Sequence, residues 1–295
     1  MFTRSLLLAA FAMGAISVAC ADLAEQEPND TFPGSHIGML NNGENITGSM
    51  TSSDDDFHYF DTAANGSWAL RRYIFDVNVD PSNGDSYLYI YDTSPSGWIL
   101  GNNDDVNYPA DATSWVSFDL FDSGGTNTWG YYMWGYNTFD YWLNVSWYDL
   151  TPTFAGSFNP GALNINTFAA TFDTELSFFD GFGNFIAAND DFSGAQSNLD
   201  LVLSPGLYYL CLGGYNTRDP GDAISGGGSW DRSGAGGGID TRGGDYGLNV
   251  GGTLINGTLA RGDRHWFTIE VVPEPSTYVA LASGLLGLLA LRRRK

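Results

Sequence analysis

The sequence predicts an all-β protein in which two antiparallel β-sandwich domains lie between an N-terminal signal peptide and a C-terminal transmembrane helix. Long helical periodicity is absent between residues 22 and 271. Short runs rich in Val, Ile, Tyr, Phe and Trp alternate there with clusters of Gly, Asn, Asp and Pro, a pattern typical of many short strands joined by turns. A strand with one apolar face needs a second sheet to cover it, which favours sandwiches.

The first 21 residues have the pattern of a signal peptide. Arg4 supplies a positive start, residues 5–18 are apolar, and Ala19-Cys20-Ala21 fits the small-residue cleavage site. We expect cleavage after Ala21, so that the mature chain starts at Asp22. An alternative, in which Cys20 is a lipid-carrying cysteine, stays open.

The composition is that of an acidic, exported protein. Lys and Arg total 12 against 34 Asp and Glu, which gives a net charge of −22. Nucleic acid and anionic membrane surfaces bind basic faces, so we exclude both as partners of the body. If Cys20 leaves with the signal peptide, no disulfide supports the domains. Cys211 lies in an apolar, strand-like run and is expected to be a buried, inert thiol.

The body contains an internal duplication whose blocks keep their order. We place the first domain at residues 22–150 and the second at residues 151–271. The second copy carries a Gly-rich insertion, residues 218–244, that we expect to be a surface loop. The matching blocks are residues 86–92 with 174–180, 97–105 with 183–191, 131–138 with 208–217, and 140–145 with 245–250.

Three motifs characterise the first domain. It opens with Glu27-Pro-Asn-Asp30, continues with Asp54-Asp-Asp-Phe-His-Tyr-Phe60, and has a predicted hairpin from Tyr91 to Asp105. With these motifs, residues 25–149 resemble the bacterial pre-peptidase C-terminal domain. The resemblance implies a jelly-roll-like β-sandwich of the kind appended to secreted proteases.

The second domain departs from this pattern. It lacks the Glu-Pro-Asn-Asp opening, and the segment most similar to the Asp-rich strand, residues 257–267, falls at its end. His265 stands there in the place of the second aspartate. We therefore expect the second fold either to be permuted or to borrow a strand.

Acidic residues at the start of the first domain indicate a candidate calcium site. In an extended segment Glu25, Glu27 and Asn29 project to one side, and Asp54 and Asp56 have the same spacing. Such oxygen ligands suit Ca²⁺. Residues 25–30 are also similar to the start of collagen-binding domains, where such residues hold calcium. The implied ligands are Glu25, Glu27, Asn29, Asp30, Asp54 and Asp56; the alternative is a solvated acidic arm.

Sequence motifs for catalysis are missing, so we expect a protein that is not an enzyme. The three histidines, His36, His58 and His265, form no His-x-x-x-His pair. Neither a Gly-x-Ser-x-Gly elbow nor a phosphate-binding loop is present. Scattered carboxylates are available for a glycosidase pair, but sequence alone does not bring two together.

Aromatic residues are dense towards the end of the first domain. Strand alternation sends about half of them to each sheet face, and one face should be core. The other is a candidate platform for sugar rings, because large exposed aromatic patches usually bind something. The residues concerned are Trp129, Tyr131, Tyr132, Trp134, Tyr136, Tyr141, Trp142, Trp147 and Tyr148. We expect a structural or adhesive role in exopolysaccharide or biofilm, with carbohydrate binding through exposed aromatics as the alternative.

The last residues combine a helix start, a short apolar run and a basic end. Pro273-Glu274-Pro275 interrupts regular structure. Residues 278–291 would form a helix about 21 Å long, which is shorter than the roughly 30 Å hydrocarbon core of a bilayer. The basic residues that follow should stay on the cytoplasmic side. They are Arg292, Arg293, Arg294 and Lys295.

This arrangement resembles the PEP-CTERM sorting signal of Gram-negative bacteria. The resemblance implies that residues 272–295 are a transient membrane anchor recognised by exosortase, a membrane-embedded cysteine protease. It also implies that the body reaches the cell surface or the extracellular matrix.

Overall fold

The all-β prediction is confirmed. The computed structural model describes residues 22–25, 35–51, 55–79, 86–92, 99–103, 114–135, 137–190, 192, 194–214, 243–260 and 263–273, and their regular structure consists of β-strands. In these residues no helix is long and apolar enough to cross a membrane. The predicted signal peptide, the predicted transmembrane run and residues 218–242 of the predicted loop lie outside them.

Strands follow one another along both halves of the chain. The first half supplies β1 (Leu23–Ala24), β2 (Ser35–Leu40), β3 (Glu44–Met50), β4 (Asp55–Thr62), β5 (Ala69–Val79), β6 (Ser86–Asp92), β7 (Ile99–Asn103), β8 (Trp115–Asp122), β9 (Asn127–Gly135) and β10 (Phe139–Asp149). The second half supplies β11 (Thr153–Phe158), β12 (Gly161–Asn166), β13 (Thr174–Asp180), β14 (Phe185–Asn189), β15 (Asn198–Leu203), β16 (Gly206–Gly214), β17 (Gly244–Val250), β18 (Thr253–Leu259) and β19 (Arg264–Val271).

The first half folds into a sandwich of two sheets. The β10 sheet has the strand order β1-β3-β10-β5-β8, and the β9 sheet has the order β2-β4-β9-β6-β7. Alternate residues of each strand point between the sheets. In β5 these include Tyr73, Phe75 and Val77, which are fully buried and belong to one core with Phe60 of β4 and Tyr131 of β9. This core is therefore rich in aromatic rings.

The second half forms another sandwich. The β17 sheet has the order β15-β12-β17-β18, and the β16 sheet has the order β11-β19-β16-β13-β14. The core between them includes Ile165 and Leu248 from the first sheet and Leu210 and Ile269 from the second. It is more aliphatic than the core of the first sandwich.

The second sandwich is a circular permutation of the first. Without β1 and β2, the first sandwich has the strand orders β3-β10-β5-β8 and β4-β9-β6-β7. The second sandwich gives the same orders when its last two strands, β18 and β19, take the places of β3 and β4. The second fold is thus permuted, as one of the two alternatives predicted. Its chain begins the shared strand order at β12, which takes the place of β5, so the counterpart of the Asp-rich strand β4 is the last strand, β19.

Strand register shows which positions of the two sandwiches match. β6 and β7 have a bulge between Ile90 and Tyr91, and β13 and β14 have one between Phe178 and Phe179. These are the positions that the sequence blocks align. The duplication therefore extends to an irregularity in the hydrogen-bond ladder.

One part of the block alignment is wrong. In β9 and β16, Gly135 and Gly214 hold matching positions opposite the first residues of β6 and β13. Counting back from them, Tyr131 matches Leu210. The Tyr-Tyr pairs at 131–132 and 208–209 are therefore offset by two residues, because residue types recur along a strand while register is set by the pairing across strands.

The prediction of purely antiparallel sheets is wrong at three short strands. β1 runs parallel to β3, β2 to β4, and β11 to β19. Each lies at the edge of its sheet and none is joined to its partner by a hairpin, so no tight turn imposes an antiparallel direction. β2 and β11 also share a bulge at a glycine with positive φ, Gly38 at 139° and Gly156 at 140°.

The two sandwiches share a packed interface. Leu70 and Phe121, on the outward face of the β10 sheet, pack with Phe179, Cys211 and Trp266 on the outward face of the β16 sheet. The ring centroid of Phe121 lies 5.2 Å from that of Phe179 and 5.5 Å from that of Trp266. The β9 sheet is on the far side of the first sandwich, so its outward face takes no part in this interface.

Candidate functional site

Glu25, the first of the predicted calcium ligands, ties the N-terminal segment to the sandwich. Its Oε1 accepts a 2.5 Å hydrogen bond from the Ser49 backbone N–H, and its Oε2 accepts one of 2.8 Å from the Tyr141 hydroxyl. The Glu25 backbone N–H donates to the Thr47 carbonyl at 3.0 Å. Gly48 makes room for this arrangement, because a Cβ there would collide with both the Glu25 carboxylate and the Tyr141 ring.

A buried polar corner surrounds this carboxylate. Asp56 and His58 project from β4 into the core and are 0% and 1% exposed. His58 Nε2 lies 3.9 Å from Glu25 Oε2. Burial, followed by Tyr131 and the charges of Asp56 and Glu25, raises the pKa of Tyr141 well above its ordinary value. Glu25 and Asp56, from different sheets, therefore both act on one tyrosine.

Most of the other predicted site residues lie outside the described part of the chain. Among the described residues, no group of three or more His, Cys, Asp or Glu side chains is placed to hold a metal ion. Pro273 is described and lies two residues after the end of β19. The predicted residues outside the described part are the calcium ligands Glu27, Asn29, Asp30 and Asp54, the cleavage residues Ala19 and Ala21, and the sorting residues Glu274, Pro275, Arg292, Arg293 and Arg294.

The outward face of the β9 sheet carries a continuous patch of aromatic side chains, which we call the aromatic face. Cross-strand register places Phe57, Tyr132 and Tyr89 in one row across β4, β9 and β6. All members are intermediate in exposure, so they are neither core nor free surface residues. The aromatic face consists of Phe57, Tyr59, Tyr87, Tyr89, Tyr91, Tyr132 and Trp134.

The rings of the aromatic face stack on one another. The Phe57 and Tyr132 centroids are 4.3 Å apart with an interplanar angle of 12°, and those of Tyr132 and Tyr89 are 5.4 Å apart at 28°. Tyr87 and Trp134 are 5.3 Å apart at 17°. Rings lying side by side in one plane cannot come this close, so the faces meet each other in offset stacks.

The hydroxyls of Tyr132 and Tyr91 stay protonated and can donate hydrogen bonds. The Tyr132 hydroxyl donates to Asp55 Oδ1 at 3.1 Å. Burial, followed by the charge of Asp55, raises the pKa of Tyr132 to about 12. Burial, followed by Tyr59, raises the pKa of Tyr91 to about 12. Both groups are therefore neutral donors at physiological pH.

The predicted division of aromatic residues between core and surface is confirmed. Tyr132 and Trp134 point outward, while their neighbours in β9 point inward. Trp142 and Tyr148 are 46% and 48% exposed, but on the outward face of the β10 sheet. Tyr136 lies outside the described residues. The buried members are Trp129, Tyr131, Tyr141 and Trp147.

A buried ion-pair network, which sequence reasoning missed, joins the two sandwiches. Asp119 of β8 accepts hydrogen bonds from Arg72 at 2.7 Å, Arg264 at 2.9 Å and Trp266 Nε1 at 2.7 Å. Burial alone would raise the pKa of Asp119, but the charges of Arg264 and Arg72 outweigh it, so the pKa is lowered. The available signal was a charged residue at an outward position of β8, where a solvated face was the ordinary interpretation.

Comparison with known proteins gives one informative match. Residues 271–295 match the family model of the PEP-CTERM protein-sorting motif. No curated protein sequence matches the chain. Among solved structures, Bacillus licheniformis lipase BlEst2 in its propeptide form aligns with 58% of this chain and 37% of its own, at 8% identity and a TM-score of 0.21. A similarity this low supports no conclusion about fold or function.

The matched segment contains the Pro-Glu-Pro triplet, the short apolar run and the basic end. These features imply that the protein is exported and that its C-terminal tail anchors it transiently in the membrane. They also imply processing by exosortase. The chain is thus a two-sandwich protein that carries a PEP-CTERM protein-sorting motif at its C-terminal end.

Proposed function

We propose that this protein is a non-catalytic adhesion protein of the cell surface or extracellular matrix, which binds polysaccharide through its aromatic face. The sorting motif supports export and tail processing. The observation that carries the binding proposal is the aromatic face itself. It lies on the sheet that takes no part in the interface between the sandwiches, so a large ligand has access to it.

The chemistry of the aromatic face suits a sugar chain. Sugar rings combine apolar C–H faces with a rim of hydroxyls. The aromatic face offers partly exposed apolar ring surface for the first and tyrosine hydroxyls with the Asp55 carboxylate for the second. Contiguous apolar patches on soluble proteins usually mark binding surfaces. A purely structural role would be better served by a polar outer face.

Charge indicates which polysaccharides fit. Asp55 and Asp61 both belong to β4, at the border of the aromatic face, and the whole chain has a net charge of −22. A polyanionic chain would be repelled by this potential. We therefore propose a neutral polysaccharide as the ligand.

The proposal is tested by binding of neutral and acidic polysaccharides to paired variants. Replacing Tyr89 and Tyr132 with Ala removes the centre of the aromatic face. We expect affinity for neutral chains to fall at least about tenfold, equivalent to ~1.4 kcal/mol. The matched control replaces Trp142 and Tyr148, exposed aromatics on the other sheet, and should leave affinity unchanged. Equal losses in both variants, or binding of acidic chains alone, would contradict the proposal.

We also propose that the acidic opening binds Ca²⁺. Glu25 and Asp56 come from different sheets yet both act on Tyr141. Carboxylates held close together repel one another unless a cation is present. The similarity of residues 25–30 to the start of collagen-binding domains, which suggested the site, also supports this proposal.

A further inference from the structure

The corner that receives Glu25 in the first sandwich has a counterpart in the second. In both, a glycine on the outer strand faces a tyrosine on its neighbour, and a hydroxyl side chain bonds the adjacent aspartate. The hydroxyl-to-carboxylate distance is 2.6 Å in the first corner and 2.7 Å in the second. The matching pairs are Gly48 and Gly257, Ser49 and Thr258, Asp140 and Asp245, and Tyr141 and Tyr246.

The two corners differ in what fills them. Of the three heavy atoms nearest to a Cβ built on Gly48, two belong to Glu25; at Gly257 all three belong to Tyr246. The Tyr246 hydroxyl instead lies 2.9 Å from His265 Nδ1. In the described part of the chain, the second corner thus has the frame of an acid-binding site without the acid.

In the part of the chain that the structure describes, no strand covers the edge beside the second corner. β1 covers β3 by pairing Leu23 with Ile46 and Ala24 with Thr47. In the described residues β18 pairs with β17 alone. Asn256, which matches Thr47, is exposed, and Leu254 is 56% exposed. An edge with unpaired N–H and C=O groups is a template for strand addition.

A cavity with basic residues in its lining adjoins the same corner. It has a volume of about 210 Å³ and is lined in part by Tyr246, Arg264 and His265. The matching positions in the first sandwich hold Asp55 and Asp56. Arg264 Nη1 is buried and has no hydrogen-bond acceptor in the described structure. The rest of the Arg264 guanidinium is bound to Asp119 of the first sandwich, so the difference between the two corners is that His265 takes the place of Asp56.

We propose that the β18 edge and this cavity receive the N-terminal segment Asp22–Glu25 of a second copy of the chain, added as a parallel strand. The segment would pair with β18 as it pairs with β3 in its own sandwich. The Glu25 carboxylate would then accept hydrogen bonds from the Thr258 backbone N–H and the Tyr246 hydroxyl. If His265 carries its proton on Nδ1 and donates to Tyr246, the tyrosine proton is available for the carboxylate.

The choice of a second copy as occupant follows from the molecule itself. The chain supplies a segment already shaped for this frame, and in the described residues two ladder pairs, Leu23 with Ile46 and Ala24 with Thr47, join it to β3. Moving it exchanges one strand edge for an equivalent one and places Glu25 beside His265, which takes the position of Asp56. Such a contact is heterologous, joining the start of one copy to the end of the next, and therefore builds open chains of molecules.

The test uses a labelled peptide with the sequence of residues 22–27 and the full chain in non-ionic detergent. Replacing Asn256 with Pro removes an edge N–H that faces away from β17, where proline is tolerated. We expect peptide affinity to fall at least about tenfold in this variant. Asn256→Ala, which keeps the N–H, should change it less than about twofold. A peptide with Glu25→Gln should also bind at least about tenfold more weakly, because it loses charge-assisted hydrogen bonds.

Three results would overturn the proposal. The first is undiminished binding to Asn256→Pro, checked for an unchanged thermal midpoint. The second is binding that survives Asn256→Pro but is lost with Thr47→Pro, which assigns the peptide to β3. The third is equal affinity of the peptide that carries Glu25→Gln, a measurement that needs no folded variant and decides the question even if the proline variant unfolds.

Discussion

At the level of single residues, glycine and charge placement decide what each sandwich can hold. Gly48 leaves space for the Glu25 carboxylate against Tyr141. Asp119 is fully buried between the sandwiches, and its negative charge is compensated by Arg72 and Arg264. Breaking a buried pair by removing one partner is costly because it leaves an uncompensated charge. Asp119 is therefore the residue whose loss should destabilise the molecule most.

Asp119→Asn should lower the free energy of unfolding by about 3–5 kcal/mol, since Arg264 then loses its carboxylate partner in a buried site. Asp149→Asn is the matched control, because Asp149 pairs with Arg71 but its side chain is 60% exposed. Its loss should cost less than about 1 kcal/mol. Denaturant unfolding measures both. Similar values for the two variants would show that the interface does not depend on the buried charge.

A second prediction concerns pH. Burial lowers the pKa of His265 and Arg72 adds to this, although Asp263 opposes it. The folded protein thus binds this proton less readily than the unfolded chain, so stability is full above the unfolded pKa of about 6.5 and declines as pH falls below it. Thermal midpoints should drop between about pH 7 and 5.5. The drop should be smaller in His265→Gln; an identical pH profile would exclude His265 as its source.

At the level of elements, the short edge strands distinguish the two sandwiches. β1 covers β3 and positions Glu25, whereas β18 has no such cover in the described residues. The same strand order thus gives a closed edge in one copy and an open edge in the other. The N-terminal segment that contains β1 and Glu25 is therefore the element whose attachment to the sandwich should depend on bound ligands.

Calcium should strengthen that attachment. If Glu25, Asp56 and the other predicted ligands share one Ca²⁺, millimolar calcium should raise the thermal midpoint relative to chelator, because an ion that binds the folded state stabilises it. Magnesium should substitute poorly, since it demands a tight octahedral shell. Alanine at Glu27 should remove the effect, whereas Glu270→Ala, at an exposed site on β19, should retain it. Identical midpoints with calcium and chelator would leave the acidic-arm alternative.

At the level of the whole molecule, equivalent faces of the two sandwiches have different uses. The outward face of the β16 sheet is buried against the first sandwich through Phe179 and Trp266. The equivalent face of the first sandwich is the aromatic face, where Phe57 matches Trp266 in strand register. The outward face of the β16 sheet thus forms the domain interface, whereas the equivalent face of the β9 sheet is available for an external ligand.

The whole molecule should also lose both of its ends. The sorting motif at residues 271–295 implies processing of the tail, and we predict removal of residues 1–21 as a signal peptide. Intact-mass measurement on protein from the native host should therefore show a chain that starts at Asp22 and lacks Arg292 to Lys295. A major species that still ends in Lys295 would contradict processing, and one that carries a lipid on Cys20 would favour the alternative start.

The strands and the sorting tail were predictable because their signals are local. Alternation with a period of two marks a strand such as β5 without reference to its partners, and the tail is recognised from contiguous residues. The inward direction of Asp56 and the outward direction of Tyr132 follow from the same alternation. The duplicated blocks are also visible, since they need only a comparison of one stretch with another.

The permutation, the parallel edge strands and the interface became apparent only in the tertiary structure. Whether β18 replaces β3 depends on pairing between strands far apart in the chain, and local sequence carries no record of a partner. The same holds for Asp119, whose arginine partners Arg72 and Arg264 lie on different sandwiches. Residue types thus decided which segments are strands, while long-range packing decided which edges are covered and which surfaces remain free to bind.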